Sequence, residues 1–160
     1  KMSSCYDDER YQNDKRVRIA AVERVVDGDT VDITIELGFD ILLRKRVRLR
    51  GIDTPESRTS DSLEKVYGNI SKEKLKSWCD KPIEENTYEI EMRYQESNSN
   101  DKFGRVLGEI WVFDKIWTNV NRWMCEKNYA VPYDGKNKND VLEKHLTNRQ
   151  ILLARGEVDE

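Results

Sequence analysis

Histidine is almost missing from this chain: His145 is the only one in 160 residues. A histidine-based nucleophile relay needs an imidazole beside its nucleophile, and a His-rich metal site needs several, so both chemistries are close to excluded. Its place in the pattern puts His145 on the polar side of a C-terminal helix. Cysteine is nearly as scarce. Cys5, Cys79 and Cys125 are odd in number and far apart, which argues against a disulfide framework, supplies no close pair for zinc and leans toward a reducing, cytoplasmic compartment. Residues 1–15 lack the apolar core of a signal peptide, and a secreted product with its leader removed would read the same way. No apolar run approaches membrane-spanning length, so no membrane partner is expected. Carboxylates, arginines, tyrosines and a hard cation are left to carry any catalysis.

What the chain has in plenty is charge. Asp, Glu, Lys and Arg make up 37% of it, with a formal net charge of −3, yet five of the seven residues from Arg44 to Arg50 are basic. Positive potential concentrated in an acidic protein suits an anionic substrate held at one place. The length is enough for one hydrophobic core and too short for two comfortable domains. The expected division is a flexible polar tail over 1–15, one domain over 16–156 and a frayed acidic tail over 157–160.

Alternating β-branched and polar residues predict strands at 17–26, 30–37 and 41–49, joined by turns at Asp27-Gly28-Asp29 and Gly38-Phe39-Asp40. Helical spacing of Ile70, Leu75 and Trp78 predicts a helix over 70–79, ended by Pro82. Two more strands follow at 87–94 and 105–113, then helices at 118–128, with Val120, Trp123 and Met124 inward, and at 140–154, with Val141, Leu142, Leu146 and 151–153 inward. Trp78 and Trp123 fall at core spacing. The sum is an α+β protein with a mainly β core, a five-stranded OB-like barrel carrying three helices, a form that commonly displays nucleic acid or oligosaccharide on one side. In the third strand Arg44, Arg46, Arg48 and Arg50 point one way, and a strand's rise spaces them roughly 6.6 Å apart. Arg44 and Arg46 read as surface charge; Arg48 and Arg50 lie nearer the following carboxylates.

Asp27 and Asp29 flank Gly28, while Asp53, Thr54 and Glu56 come from a second turn stiffened by Pro55. An Asp-Gly-Asp turn can be plain turn chemistry. Two acidic turns at the ends of adjacent strands can also converge, and oxygen-only ligands then favour Ca²⁺ or Mg²⁺ over zinc. Arg105 follows Asp101-Lys102-Phe103-Gly104 and can be either a site residue or an exposed charge at a strand start.

Together these motifs resemble the staphylococcal nuclease-like (thermonuclease) family: Val26-Asp27-Gly28-Asp29-Thr30-Val31, Val47-Arg48-Leu49-Arg50-Gly51-Ile52-Asp53-Thr54-Pro55-Glu56, Glu64-Lys65 with Tyr67-Gly68, Asp101-Lys102-Phe103-Gly104-Arg105, and Val120-Asn121 with Tyr129-Ala130. The landmarks run in the family's order over 18–133. The resemblance implies a Ca²⁺ site, with Mg²⁺ second to it, on Asp29, Asp53 and the Thr54 carbonyl, with Asp27 in the outer shell. It implies Arg48 and Arg105 as catalytic arginines and Glu56 as the group that activates or orients water. It further implies Lys102, Phe103 and Tyr133 beside the nucleic acid; Arg50, from its place in the basic strand, is expected as a backbone contact. The implied activity is metal-dependent hydrolysis of DNA or RNA, single-stranded or flexible by preference, to 3′-phosphate and 5′-hydroxyl ends, by a monomer. A non-catalytic nucleic-acid- or protein-binding barrel is the alternative. A sugar-cleaving carboxylate pair would leave the arginines without a role.

Overall fold

The long first strand, β1 (Lys15–Asp27), cannot stay flat, because its register against β2 (Thr30–Glu36) slips three times, after Ile19, Val22 and Val25. Each slip bends and twists a strand, which is what closing a small barrel requires. The computed structural model, which describes residues 14–85, 89–96 and 99–159 without the side chains of 82–85, has the predicted five-stranded closed barrel. Strand β2 pairs with β3 (Leu42–Leu49), and β1 pairs through its first four residues with β5 (Ile90–Tyr94). Strand β5 in turn pairs with β6 (Val106–Asp114), and parallel contacts of Val47–Leu49 with Val106–Gly108 close the ring. Inward side chains alternate along the strands as a half-buried sheet demands: Val31, Ile33, Val47, Leu49, Ile110 and Val112 are all at most 1% exposed. Most of the expected N-terminal tail, 1–13, lies outside the described residues.

Short elements that the hydropathy pattern does not signal complete the sheet. Ile52–Asp53 (β4) pairs with Val131–Pro132 (β8), and Ile116–Asn119 (β7) folds back on β6. Two-residue strands carry no period, so only their tertiary pairing defines them.

Three helices cover the barrel. Helix α1 (Ser62–Glu85) begins eight residues before the predicted start, because Asp61 caps it by accepting from the Leu63 and Glu64 amides at 3.1 Å each. It also continues past Pro82: a proline this near the end forfeits a single backbone bond in the last turn. Helix α2 (Val120–Glu126) is capped by Asn119, and its Asn121 is fully committed to the barrel. The Asn121 side chain donates to the Arg50 carbonyl (2.9 Å) and the Gly108 carbonyl (3.2 Å) and accepts from the Ile110 amide (3.1 Å). Trp78 of α1 and Trp123 of α2 meet edge to face at 5.5 Å, partly buried against the core.

Helix α3 (Lys138–Ala154) corrects the predicted face. Leu142 and Leu146 are 60% and 47% exposed, while Val141, His145 and Leu152 are buried. The inward stripe is therefore turned by about one residue from the apolar one, and His145 lies inside rather than on the polar side. Hydropathy alone favours the leucines; the hydrogen bond made by His145, described below, overrides it. Past α3 the chain is held as well, since Val158 is buried and Glu157 accepts from Tyr129 Oη and pairs with Arg155 at 2.8 Å, although fraying is expected from 157.

Gly68 is where α1 crosses the turn that bears Glu56: a Cβ there would lie 2.3 Å from the Glu56 carbonyl oxygen, a backbone atom with no room to yield. Gly68→Ala is expected to destabilise the protein by about 1–3 kcal/mol, which lowers the melting temperature by roughly 2–4 °C per kcal/mol at this size. Thermal unfolding with an unchanged midpoint would contradict this contact.

Candidate active site

Strand register delivers the first components. Thr30 stands opposite Arg48, and the Leu49 amide donates to the Asp29 carbonyl at 2.7 Å, so the Asp27-Gly28-Asp29 turn lies beside the end of β3. Gly28 is needed there because a Cβ would meet the Ser71 side chain of α1 at 2.7 Å. The chain then turns at Gly51, whose φ of 79° lies in the left-handed region that glycine enters without steric cost. It returns as β4, placing Asp53 and Thr54 against Asp29: the Thr54 amide donates to Asp29 Oδ2 at 3.2 Å.

Arg48 joins the two acidic turns. Its Nη1 donates to the carbonyls of Leu49 and Ile52 at 2.9 Å each, which fixes the guanidinium plane. Its Nη2 then stands 3.3 Å from Asp29 Oδ2 and 3.3 Å from Asp53 Oδ1. Two carboxylates thus face one point, and all three side chains are largely buried. Asp53 has further partners from α3: His145 Nε2 at 2.8 Å from Oδ2, and Lys138 Nζ at 3.7 Å from Oδ1. Burial works against ionisation of Asp53, yet the His145 hydrogen bond and the charges of Lys138, His145 and Arg48 hold its carboxyl below the usual range. Asp27 accepts from Ser57 Oγ and has Arg58 at 3.9 Å.

Glu56 is perturbed the other way. The residue is exposed, but neighbouring protein strips part of the hydration from its carboxyl, and Asp29, Asp27 and Asp53 repel its charge, so its pKa is raised despite the opposing charge of Lys138. Carboxyl groups pushed apart in this way are a recurrent mark of acid–base chemistry, though structural ion-pair clusters produce it as well.

On the other side of Arg48 lies a cleft of about 470 Å³ lined in part by Arg48, Arg50, Lys102, Phe103, Arg105, Tyr133 and Lys138. Asp101 positions Arg105: its carboxylate accepts from the Phe103 and Arg105 amides and from Arg105 Nε at 2.7 Å, and these bonds outweigh partial burial in keeping Asp101 below the usual range. Phe103 is 72% exposed at the rim, an apolar ring facing solvent beside Lys102 and Arg105. Tyr133 lines the cleft, whereas Tyr129 is buried beneath and bonded to Glu157. Arg50, expected as a backbone contact, lines the same cleft. Its guanidinium is held by Asp14 at 2.7 Å and Glu109 at 3.0 Å. Arg44 and Arg46 are exposed and face Glu23 and Asp32, the latter pair at 2.7 Å. Neither Cys79 nor Cys125 offers a nucleophile, since burial pushes both thiols up to about 12.

Whether a hard cation fits is decided by donors. Asp29, Asp53, Asp27 and Glu56 supply carboxylate oxygen only, Glu56 being raised by burial and then by the repulsion of the other three, and the buried Thr54 Oγ1 finds no hydrogen-bond partner among the described residues. That donor chemistry fits Ca²⁺ or Mg²⁺. Among the described residues no three His, Cys, Asp or Glu side chains form a ready cage; the oxygens of Asp53 are instead engaged by cationic side chains. His145 is the residue that sequence patterning misses here. A helical repeat of 141, 145 and 152 was available as a signal, but a lone histidine beside leucines does not mark itself as inward-facing.

Residues 46–155 match the model of the family described as staphylococcal nuclease homologue. The SPbeta prophage-derived endonuclease YokF of Bacillus subtilis (strain 168) is 29% identical over 94 residues, 59% of this chain and 28% of that protein. The thermonuclease of Staphylococcus intermedius is 31% identical over 96 residues, 60% of this chain and 50% of that one. Endonuclease YncB of Bacillus subtilis (strain 168) is 25% identical over 104 residues, 65% of this chain and 44% of that one. The matched part of the chain thus spans half or less of each of these relatives.

A neutral isostere tests the Glu56 environment. Because its folded pKa is raised above about 4.5, Glu56 costs stability once pH climbs through that folded value and costs nothing below the unfolded one. Glu56→Gln is expected to melt higher than the wild type at neutral pH in EDTA and to lose that advantage at acid pH. A pH-independent difference would contradict the repulsion described.

Proposed function

This chain belongs to the staphylococcal nuclease homologue family, and on that premise we propose that it is a Ca²⁺-dependent phosphodiesterase cleaving DNA or RNA to 3′-phosphate and 5′-hydroxyl ends. The observation that carries the reading is the position of Arg48, which lines the cleft together with Arg105 while its Nη2 reaches both Asp29 and Asp53. Binding phosphate alone would not call for Glu56, a carboxyl whose pKa is raised by burial and by the neighbouring Asp29, Asp27 and Asp53.

In the proposed reaction a phosphodiester lies in the cleft, with bases against Phe103 and Tyr133 and backbone phosphates near Lys102 and Lys138. Aromatic faces accept any base, so the site is suited to unstacked, single-stranded or flexible nucleic acid. Water attacks phosphorus, Glu56 accepts its proton, and the bond to the 5′-oxygen breaks, with that oxygen taking up a proton. A raised pKa brings Glu56 closer to working pH and makes it a better base. Negative charge grows on the non-bridging oxygens, and the planar donor forks of Arg48 and Arg105 match them better than lysine would. Asp29, Asp53 and the Thr54 carbonyl would hold the cation, with Asp27 in the outer shell. A bound divalent cation supplies Lewis-acid stabilisation of the same charge. Arg50, tied to Asp14 and Glu109, supports the cleft wall and lends positive potential.

The test is cleavage of single-stranded DNA, duplex DNA and RNA with Ca²⁺, Mg²⁺ or EDTA. Cleavage is expected with Ca²⁺ and none in EDTA. Arg48→Lys and Glu56→Gln are each expected to lose at least about 100-fold in kcat. Near-normal turnover in either variant would remove its role, and binding without cleavage under every cation would favour the binding-barrel alternative.

A further inference from the structure

His145 has no part in the reaction just described, yet it is placed with unusual care. It is buried in the inward stripe of α3, between Val141 and Leu152, where an apolar side chain would pack without any polar cost. Its Nδ1 is buried and finds no partner among the described residues, so the ring leaves one nitrogen unsatisfied in order to make a single strong contact, Nε2 to Asp53 Oδ2 at 2.8 Å. An ionised carboxylate only accepts, so Nε2 carries a hydrogen and donates it. The other oxygen of the same carboxylate, Oδ1, is the one turned toward Arg48 Nη2 at 3.3 Å and Lys138 Nζ at 3.7 Å.

We infer that His145 is a positioning residue for Asp53: by holding Oδ2 it fixes the carboxylate plane and presents Oδ1 to the cation that the site would bind. This inference rests on the calcium-dependent reading above. The division of labour between the two oxygens is its physical content. One oxygen is held by a ring that packing locks in place. The other faces Lys138, whose side chain is 63% exposed and free to swing away. Helix α3 thereby becomes part of the site: it supplies the rigid holder, His145, and the displaceable charge, Lys138. Partners that orient a ligand through its second oxygen are typically worth about 10–100-fold in metal affinity.

Calcium chloride titrated into the metal-free protein by calorimetry reads this without any turnover. His145→Leu, which fills volume but cannot donate, is expected to bind Ca²⁺ about 10–100-fold more weakly, and His145→Gln, which keeps an N–H donor, to recover most of the loss. Melting temperature and near-ultraviolet dichroism in EDTA establish that each variant is folded at the titration temperature. A folded His145→Leu with wild-type affinity would overturn the inference, as would a His145→Gln no better than it, since packing alone would then explain the residue. Should His145→Leu not hold its fold, Lys138→Ala decides: removing the charge on Oδ1 is expected to tighten Ca²⁺ binding several-fold, and unchanged affinity would overturn the inference. Failure of the wild-type protein to bind Ca²⁺ at all would instead sink the calcium reading on which this one rests.

Discussion

The guanidinium of Arg48 is the constraint around which the functional face is assembled. Its Nη1 is bound to two backbone carbonyls and its Nη2 lies between Asp29 and Asp53, so one side chain from the end of a barrel strand joins two turns that are 24 residues apart in the chain. Take that charge away and two buried carboxylates face one another with only His145, Lys138 and the Thr54 amide left to oppose them, which burial makes costly. The barrel serves this arrangement. Its bulged first strand allows closure, closure brings β3 against β6, and Asn121 staples the two at Arg50 and Gly108.

The electrostatics divide accordingly. Asp53 is pulled down by partners from two sides, and Glu56 is pushed up by partial burial and by the neighbouring carboxylates. The same local field tells a lowered pKa from a raised one within four residues of sequence. The four arginines of the basic run fall into three cases. Arg44 and Arg46 face surface acids, Arg48 holds the site, and Arg50 is clamped by Asp14 and Glu109. The cations that line the cleft are Arg48, Arg50, Lys102, Arg105 and Lys138. An acidic chain thus gathers positive charge in one place.

The barrel strands were legible because their alternation is strong: Thr30–Glu36 and Leu42–Leu49 lie within a residue of the predicted spans. The acidic turns were legible because Asp-Gly-Asp and Asp-Thr-Pro-Glu carry their own local geometry. Long-range polar choices were not. No periodicity tells that Arg50 finds Asp14 and Glu109, that Ile52–Asp53 pairs with Val131–Pro132, or that α3 turns His145 inward in preference to Leu146. In each case a hydrogen bond or ion pair formed across the fold outweighs a small difference in hydropathy. Helix α1 differs, since both the cap at Asp61 and the helical spacing of Leu63, Val66, Tyr67 and Ile70 mark its true start in the sequence, and a start at 70 passes over them.

Carboxyl ¹³C NMR of the metal-free protein, recorded as a function of pH with Asp and Glu labelled, tests the central claim most directly. If Arg48 holds Asp29 and Asp53 together and Glu56 stands near those carboxylates as described, Asp53 titrates below the usual carboxylate range while Glu56 titrates above it. Ordinary titration of both groups would mean that the carboxylates do not share that site, and the account built on their convergence would be wrong.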